Sequence, residues 1–306
     1  MEPHNIPEIQ PARKRNFISR IFISSDEPRL RAGWRLLLQT LLMILIGIPT
    51  SFIAGLIRVG GSELFLSQII ELVIFISSIY IARRFLDKRS FVSLGLQVNK
   101  QAFIDILIGI AITFVMMGSI YLAEVVAGWL TFESFAWQTE PAINVITGVL
   151  MFFVVFIFVG WNEELLSRGY HLQTIASGTN MFWGVVISSS VFGLAHLGNP
   201  NATWVSAAGI FFAGIFLAYG YLRTGQLWLS IGLHIGWNFF EGVVFGFPVS
   251  GLDIYRLIRH QVQGPEIWTG GAFGPEAGLI VLPALVIGAV LIYLYTRDRK
   301  TIQENR

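Results

Sequence analysis

The chain has 306 residues, 54% of them hydrophobic and only 13% charged, with a formal net charge of +2. A mean hydropathy of +0.65 excludes an ordinary soluble domain, in which about a quarter of residues are charged. The basic residues form no stripe with interleaved aromatics, which argues against nucleic acid, and the lack of cysteine excludes disulfides, thiolate metal sites and a cysteine nucleophile together.

The first 32 residues hold Arg13, Lys14, Arg15, Arg20, Arg29 and Arg31 and no apolar run. They read as a basic cytoplasmic tail with no cleavable signal peptide, and the span from Trp34 as an uncleaved anchor. Eight apolar segments of roughly membrane-crossing length follow, at about 34–57, 64–82, 102–130, 143–162, 181–197, 203–222, 226–247 and 278–295. The expected fold is all-α: a polytopic transmembrane bundle of about eight spans over 33–296, enclosing an intramembrane polar cavity. Residues 297–306 form a second cytoplasmic tail. With the N-terminus inside, eighteen basic residues face the cytoplasm and only Arg58, Arg256 and Arg259 lie outside. That asymmetry places a multi-pass protein in the cell membrane with both termini cytoplasmic. The connection 248–277, rich in Gly and Pro, is an outer loop.

Ionisable groups at membrane depth cost roughly 2.5–3.5 kcal/mol on insertion scales, so each one within a span calls for a reason. Glu71, Asp105 and Glu124 stand alone on apolar helices and read as carboxyls bonded to a neighbouring helix or near an interface. The fourth span is different. It runs V-L-M-F-F-V-V-F-I-F-V over 149–159 and then meets W-N-E-E-L-L-S-R-G-Y over 161–170. Glu164 and Arg168 are i,i+4 and predict an ion pair on one helix face. Glu163, about 100° further round, is free to point into a pocket. The fifth span ends V-F-G-L-A-H, with Phe192 and His196 on one face, and the seventh carries His234, Asn238 and Glu241 as a polar stripe. Convergence of these groups on one cavity is the economical reading.

The chemistry narrows by exclusion. H-E-x-x-H is absent, Asp105 is the single aspartate within a span, and no G-x-S-x-G elbow occurs. Glutamate and histidine acting on water remain. A carboxylate in low dielectric suits general-base work, a histidine beside it can hold the water, and an Asn amide with a second His can donate to a developing oxyanion. Two histidines and a glutamate also match a catalytic zinc ligand set, and at this point both readings stay open.

E-E-L-L-S-R, F-G-L-A-H and H-I-G-W-N resemble, in order, the E-E-x-x-x-R, F-x-x-x-H and H-x-x-x-N/D motifs of the CAAX-protease and bacteriocin-processing (CPBP) family of intramembrane proteases, which includes type II CAAX prenyl endopeptidases. The resemblance covers roughly 145–247 and departs at Ser167, where many members carry an aromatic. It implies Glu163 as the base that activates water and His196 as its partner. It implies His234 and Asn238 as the oxyanion site, with Glu164 and Arg168 as supports. The expected activity is hydrolysis of a peptide bond in a membrane-associated peptide or protein, of glutamic type and without a cofactor. If zinc is present, Glu163, His196 and His234 are its ligands. A catalytically silent scaffold or immunity-type protein is the main rival and a small transporter the lesser one. Oligomeric state is left open.

Overall fold

The computed structural model describes residues 16–24, 27–56 and 63–299. Arg13, Lys14, Arg15, Arg58, Lys300 and Arg306, which entered the charge count, lie outside the described residues. The helices, in chain order, begin with the short α1 (Phe17–Phe22), then α2 (Ala32–Leu56) and α3 (Glu63–Ile81). A π-helical turn extends α3 to Leu86, and α4 (Lys100–Val126) follows with Asn99 capping its first turn by accepting from the Ala102 N–H. After the single turn α5 (Ala136–Thr139) come α6 (Ala142–Glu164), a π-helical segment Leu165–His171, and α7 (Leu172–Gly178). Then come α8 (Met181–Ala195), α9 (Trp204–Thr224) and α10 (Trp228–Asn238), the last extended by a π turn to Val244. The single turn α11 (Glu266–Thr269) and α12 (Val281–Thr296) complete the series.

The molecule is an all-α bundle, and each of the eight apolar segments is helical. Among the described residues six helices are long and apolar enough to cross a membrane, and α12 is a shorter apolar helix. Two expected boundaries are corrected. The third span stops at Val126 instead of 130, because the chain turns into β1 (Leu130–Phe135), which pairs antiparallel with β2 (Ile258–Val262). The fourth does not stop at 162: α6, the π segment and α7 form one helix from Ala142 to Gly178, 37 residues long.

At the centre lies α10, whose residues Leu229 to Asn238 are all buried. It packs most extensively on α4 and then on α6 and α9. Glycines permit the closeness: a Cβ on Gly109 would lie 2.5 Å from the Leu233 nitrogen, and one on Gly232 would overlap the Ile106 backbone. Without a hydrophobic drive between helices in lipid, such small-residue contacts supply the van der Waals packing. Met116, Met117, Leu229 and Leu233 fill one core, and Ile79, Leu165, Tyr170 and Leu172 a second. Large apolar side chains on α2, such as Leu41, Leu45, Ile48 and Phe52, stay exposed and face where lipid would be.

Candidate active site

Simple counting of spans sets Glu163 at a helix end and His196 deep in the next helix, which would keep them apart. The continuous α6–α7 helix removes the conflict. Glu163 lies fifteen residues before Gly178, the chain reverses at Thr179 and Asn180, and His196 lies fifteen residues after Met181. At about 1.5 Å per residue both arms run roughly 22 Å from the turn, so the two side chains come level. The reversal is set by Asn180, whose side chain accepts from the Trp183 N–H and starts α8 at once.

Glu163, His196 and His234 meet. The Glu163 Oε2 lies 3.9 Å from His196 Nε2 and 3.7 Å from His234 Nε2, and it is buried with no hydrogen-bond partner among the described residues. Each histidine is tied at its other nitrogen. The Nδ1 of His196 is 2.8 Å from the Phe192 carbonyl oxygen, and that of His234 is 2.8 Å from Glu164 Oε1. A carbonyl oxygen only accepts, so Nδ1 of His196 carries a proton, and its Nε2 faces Glu163.

Behind this group Glu164 is fully buried, and its Oε1 accepts from Arg168 Nη1 at 2.7 Å as well as from His234. Arg168 also donates from Nη2 to the Gly214 carbonyl at 3.0 Å and lies 4.4 Å over the Phe192 ring. Phe192 also meets His196 in an edge-type contact, with ring centroids 4.7 Å apart. The expected ion pair is therefore present, and Phe192 is the surface on which the arginine and the histidine both rest.

Glu163, His196, His234 and Asn238 line one cavity of about 400 Å³. Glu71 lines it as well, from α3, although its isolated place on an apolar helix reads as structural. Glu241 does not follow His234 and Asn238 into it. It sits in the π turn Phe239–Val244, fully buried behind the wall that Trp237 and Glu276 form. Asp105 behaves as expected, accepting from Tyr295, Gln101 and Arg299. Glu124 is buried with neither oxygen hydrogen-bonded.

One wall residue lies outside the sequence reading altogether. Glu276, from the connection expected to be an outer loop, lines the cavity with Ser250. Its carboxylate accepts from Trp237 Nε1 at 2.9 Å and from the Ser250 N–H and Oγ–H at 2.8 and 2.6 Å. Burial pushes the Glu276 carboxyl up, against the pull of these donors. The connection is seated on the bundle: a Cβ on Gly209 of α9 would overlap the Glu276 carbonyl oxygen. Asn199 donates to the Ser250 carbonyl at 3.1 Å. No spacing rule links an acid at 276 to a glutamate at 163, and only the fold joins them.

A family model described as "Type II CAAX prenyl endopeptidase Rce1-like" matches residues 145–240. Residues 145–240 are thus similar to an Rce1-like core. The match holds the three motifs and the cavity residues Glu163, His196, His234 and Asn238. "Uncharacterized protein YyaK" of Bacillus subtilis (strain 168) is 27% identical over 250 residues, which cover 79% of this chain and 78% of YyaK. "Putative membrane peptidase YdiL" of the same organism is 28% identical over 137 residues, 44% of this chain and 52% of YdiL. The Rce1-like core and the apolar helices together support a membrane peptidase role.

Proposed function

We propose that this chain is an intramembrane endopeptidase of glutamic type that hydrolyses a peptide bond in a membrane-associated peptide or protein. The observation that carries the reading is the bare Glu163 Oε2 held between two histidine Nε2 atoms inside a largely enclosed cavity. The gap between Glu163 Oε2 and the two Nε2 atoms leaves a place for water, which donates to Glu163 and to the Nε2 of a neutral His196. Glu163 takes one proton, and the water oxygen adds to the carbonyl carbon of the substrate. The charge that develops on the carbonyl oxygen is met by the Asn238 amide and by His234 with its Nε2 protonated, a charge that Glu164 balances from the Nδ1 side. The C–N bond then breaks, and the amine leaves with the proton carried by Glu163. Arg168 holds Glu164 in place through their 2.7 Å ion pair. The basic asymmetry of the connections supports placing both termini in the cytoplasm.

A catalytic zinc needs three protein ligands, for which Glu163, His196 and His234 are the available set. Among the described residues no group of three or more His, Asp or Glu is arranged to hold an ion. Glu163 serving as the base leaves only His196 and His234 as ligands, one short of that set, which favours the glutamic reading, and no step is routed through a metal.

The test is hydrolysis of a membrane-proteome peptide library by the purified protein, against Glu163→Gln and His196→Ala. Each substitution lowers turnover by ~10²-fold or more with folding intact. Chelation by o-phenanthroline leaves the wild type active, and elemental analysis finds less than one metal per chain. Turnover within a few-fold of wild type in Glu163→Gln sinks the peptidase reading in favour of a scaffold or a transporter. Stoichiometric zinc, lost and regained with activity, makes Glu163 a ligand instead of a base.

A further inference from the structure

A second cavity, of about 590 Å³, lies between the start of α2, the end of α7 and the length of α8. It falls within the range of sites that bury a small ligand. At one end Arg31, Arg35, Ser177 and Thr179 line it beside the apolar Leu36, Ile175 and Ile187, and Thr40 and His171 line it farther from that end. The deep end shares His171 and Val191 with the cavity of Glu163, so the two spaces are neighbours.

The polar end sits where a bilayer would have its interface. The exposed apolar band of α2 begins at Leu37, six residues past Arg31 and two past Arg35. Trp34, stacked on Phe22, and the half-exposed Trp183 mark the same level, as interfacial tryptophans do. This end of the bundle is also strongly basic. Residues 27–35 and 82–89 hold seven basic side chains against Glu27 and Asp87. Asp87, fully buried, is already shared by Arg35, Arg83 and Arg29. Arg35 gives its second amino group to Ser177 Oγ at 2.6 Å, and its buried Nε–H has no partner among the described residues. Arg31 is exposed, and among the described residues its one side-chain hydrogen bond is long, from Nε to the Ile23 carbonyl at 3.4 Å. Guanidinium donors in excess of acceptors, at the mouth of a space with apolar walls below, call for an anion with a hydrocarbon tail.

We propose that this cavity binds an anionic phospholipid, with the headgroup phosphate at Arg31 and Arg35 and an acyl chain between α2, α7 and α8. Basic pockets between transmembrane helices recognise anionic headgroups in this way. A free phosphate shares the headgroup chemistry but leaves the apolar wall of Leu36, Ile175 and Ile187 without a use.

The proposal is independent of the peptidase reading, and its test reads no hydrolysis. The purified protein in detergent is titrated with palmitoyl-oleoyl phosphatidylglycerol or phosphatidylcholine, and binding is followed by native mass spectrometry and by thermal unfolding. Phosphatidylglycerol binds at least about fivefold tighter, the gain expected of one arginine near an anionic headgroup. Arg31→Ala abolishes that preference, and Arg31→Lys keeps it within about twofold. Ile187→Trp, which fills the cavity from the wall of α8, weakens phosphatidylglycerol by about tenfold. Equal binding of the two lipids overturns the proposal, as does a preference kept by Arg31→Ala or unweakened binding to Ile187→Trp. Inorganic phosphate alone, if it stabilises as much as phosphatidylglycerol, also overturns it and leaves a simple anion site.

Discussion

Arg168 does more than neutralise Glu164. It is fully buried, bridges the π segment to the Gly214 carbonyl of α9, and supports the ring that supports His196. Removing it leaves Glu164 as a buried, under-compensated charge, at a cost of about 3–5 kcal/mol. Arg168→Ala is therefore expected to lower the thermal midpoint in detergent and to abolish peptide hydrolysis together. Arg168→Lys recovers only part of each, since an ammonium cannot serve Glu164 and Gly214 in the same fork. A thermal midpoint equal to wild type in Arg168→Ala would show that the ion pair is not structural. At this scale the sequence is readable where a pair is local. Glu164 and Arg168 are one helical turn apart, and their bond follows from spacing alone. Glu276 is eighty residues from His196, and nothing short of the folded connection brings it to the cavity wall.

Among the elements, the long helix and the 245–280 connection depart most from expectation, each for a definable reason. Ser167, Arg168, His171, Gln173 and Thr174 look like an exit from the membrane. Ser167, Arg168 and Thr174 are nevertheless buried, because α2, α3 and α8 pack on this stretch and α9 meets Arg168 at Gly214. Polar composition signals the end of a span only when water is the neighbour, and here protein is. The π turns are equally hidden from periodicity, and one of them contains Glu241, which does not line the cavity that His234 and Asn238 share. The connection reads as a loop from its Gly and Pro content, yet it seats closely on the bundle, where Gly209 of α9 admits the Glu276 carbonyl. Filling that contact is the direct test. Gly209→Val forces the Glu276 carbonyl away while leaving the carboxylate intact, and Glu276→Gln does the converse, setting an amide against the Ser250 N–H. Each is expected to cost ~1–3 kcal/mol and to lower kcat/KM by about tenfold or more, with helicity by circular dichroism unchanged. Wild-type kinetics in both variants would reduce the connection to a bystander.

For the whole molecule, the eight apolar runs are legible because lipid imposes length and composition on every span, and the charge asymmetry fixes a proposed orientation. The cysteine-free chain makes the check simple. A single cysteine at the exposed Ser90 is expected to react with an impermeant maleimide only from the cytoplasmic side, and one at the exposed Gln261 only from the opposite side. Reversed labelling would invert the topology. The 37-residue helix from Ala142 to Gly178 carries a last consequence. At ~1.5 Å per residue it is about 55 Å long, against a hydrocarbon core of about 30 Å. Such a rod must lean or stand proud of the bilayer, and mismatch of this kind is relieved by tilt. Glu163 is fixed part-way along it, so membrane thickness sets how deep the carboxylate rides relative to a substrate anchored in the same leaflet. Turnover in proteoliposomes made from phosphatidylcholines of 14 to 22 acyl carbons is expected to pass through a maximum, on the order of several-fold above the extremes. A flat profile across that series would mean that substrate and carboxylate find one another independently of the thickness of the lipid around them.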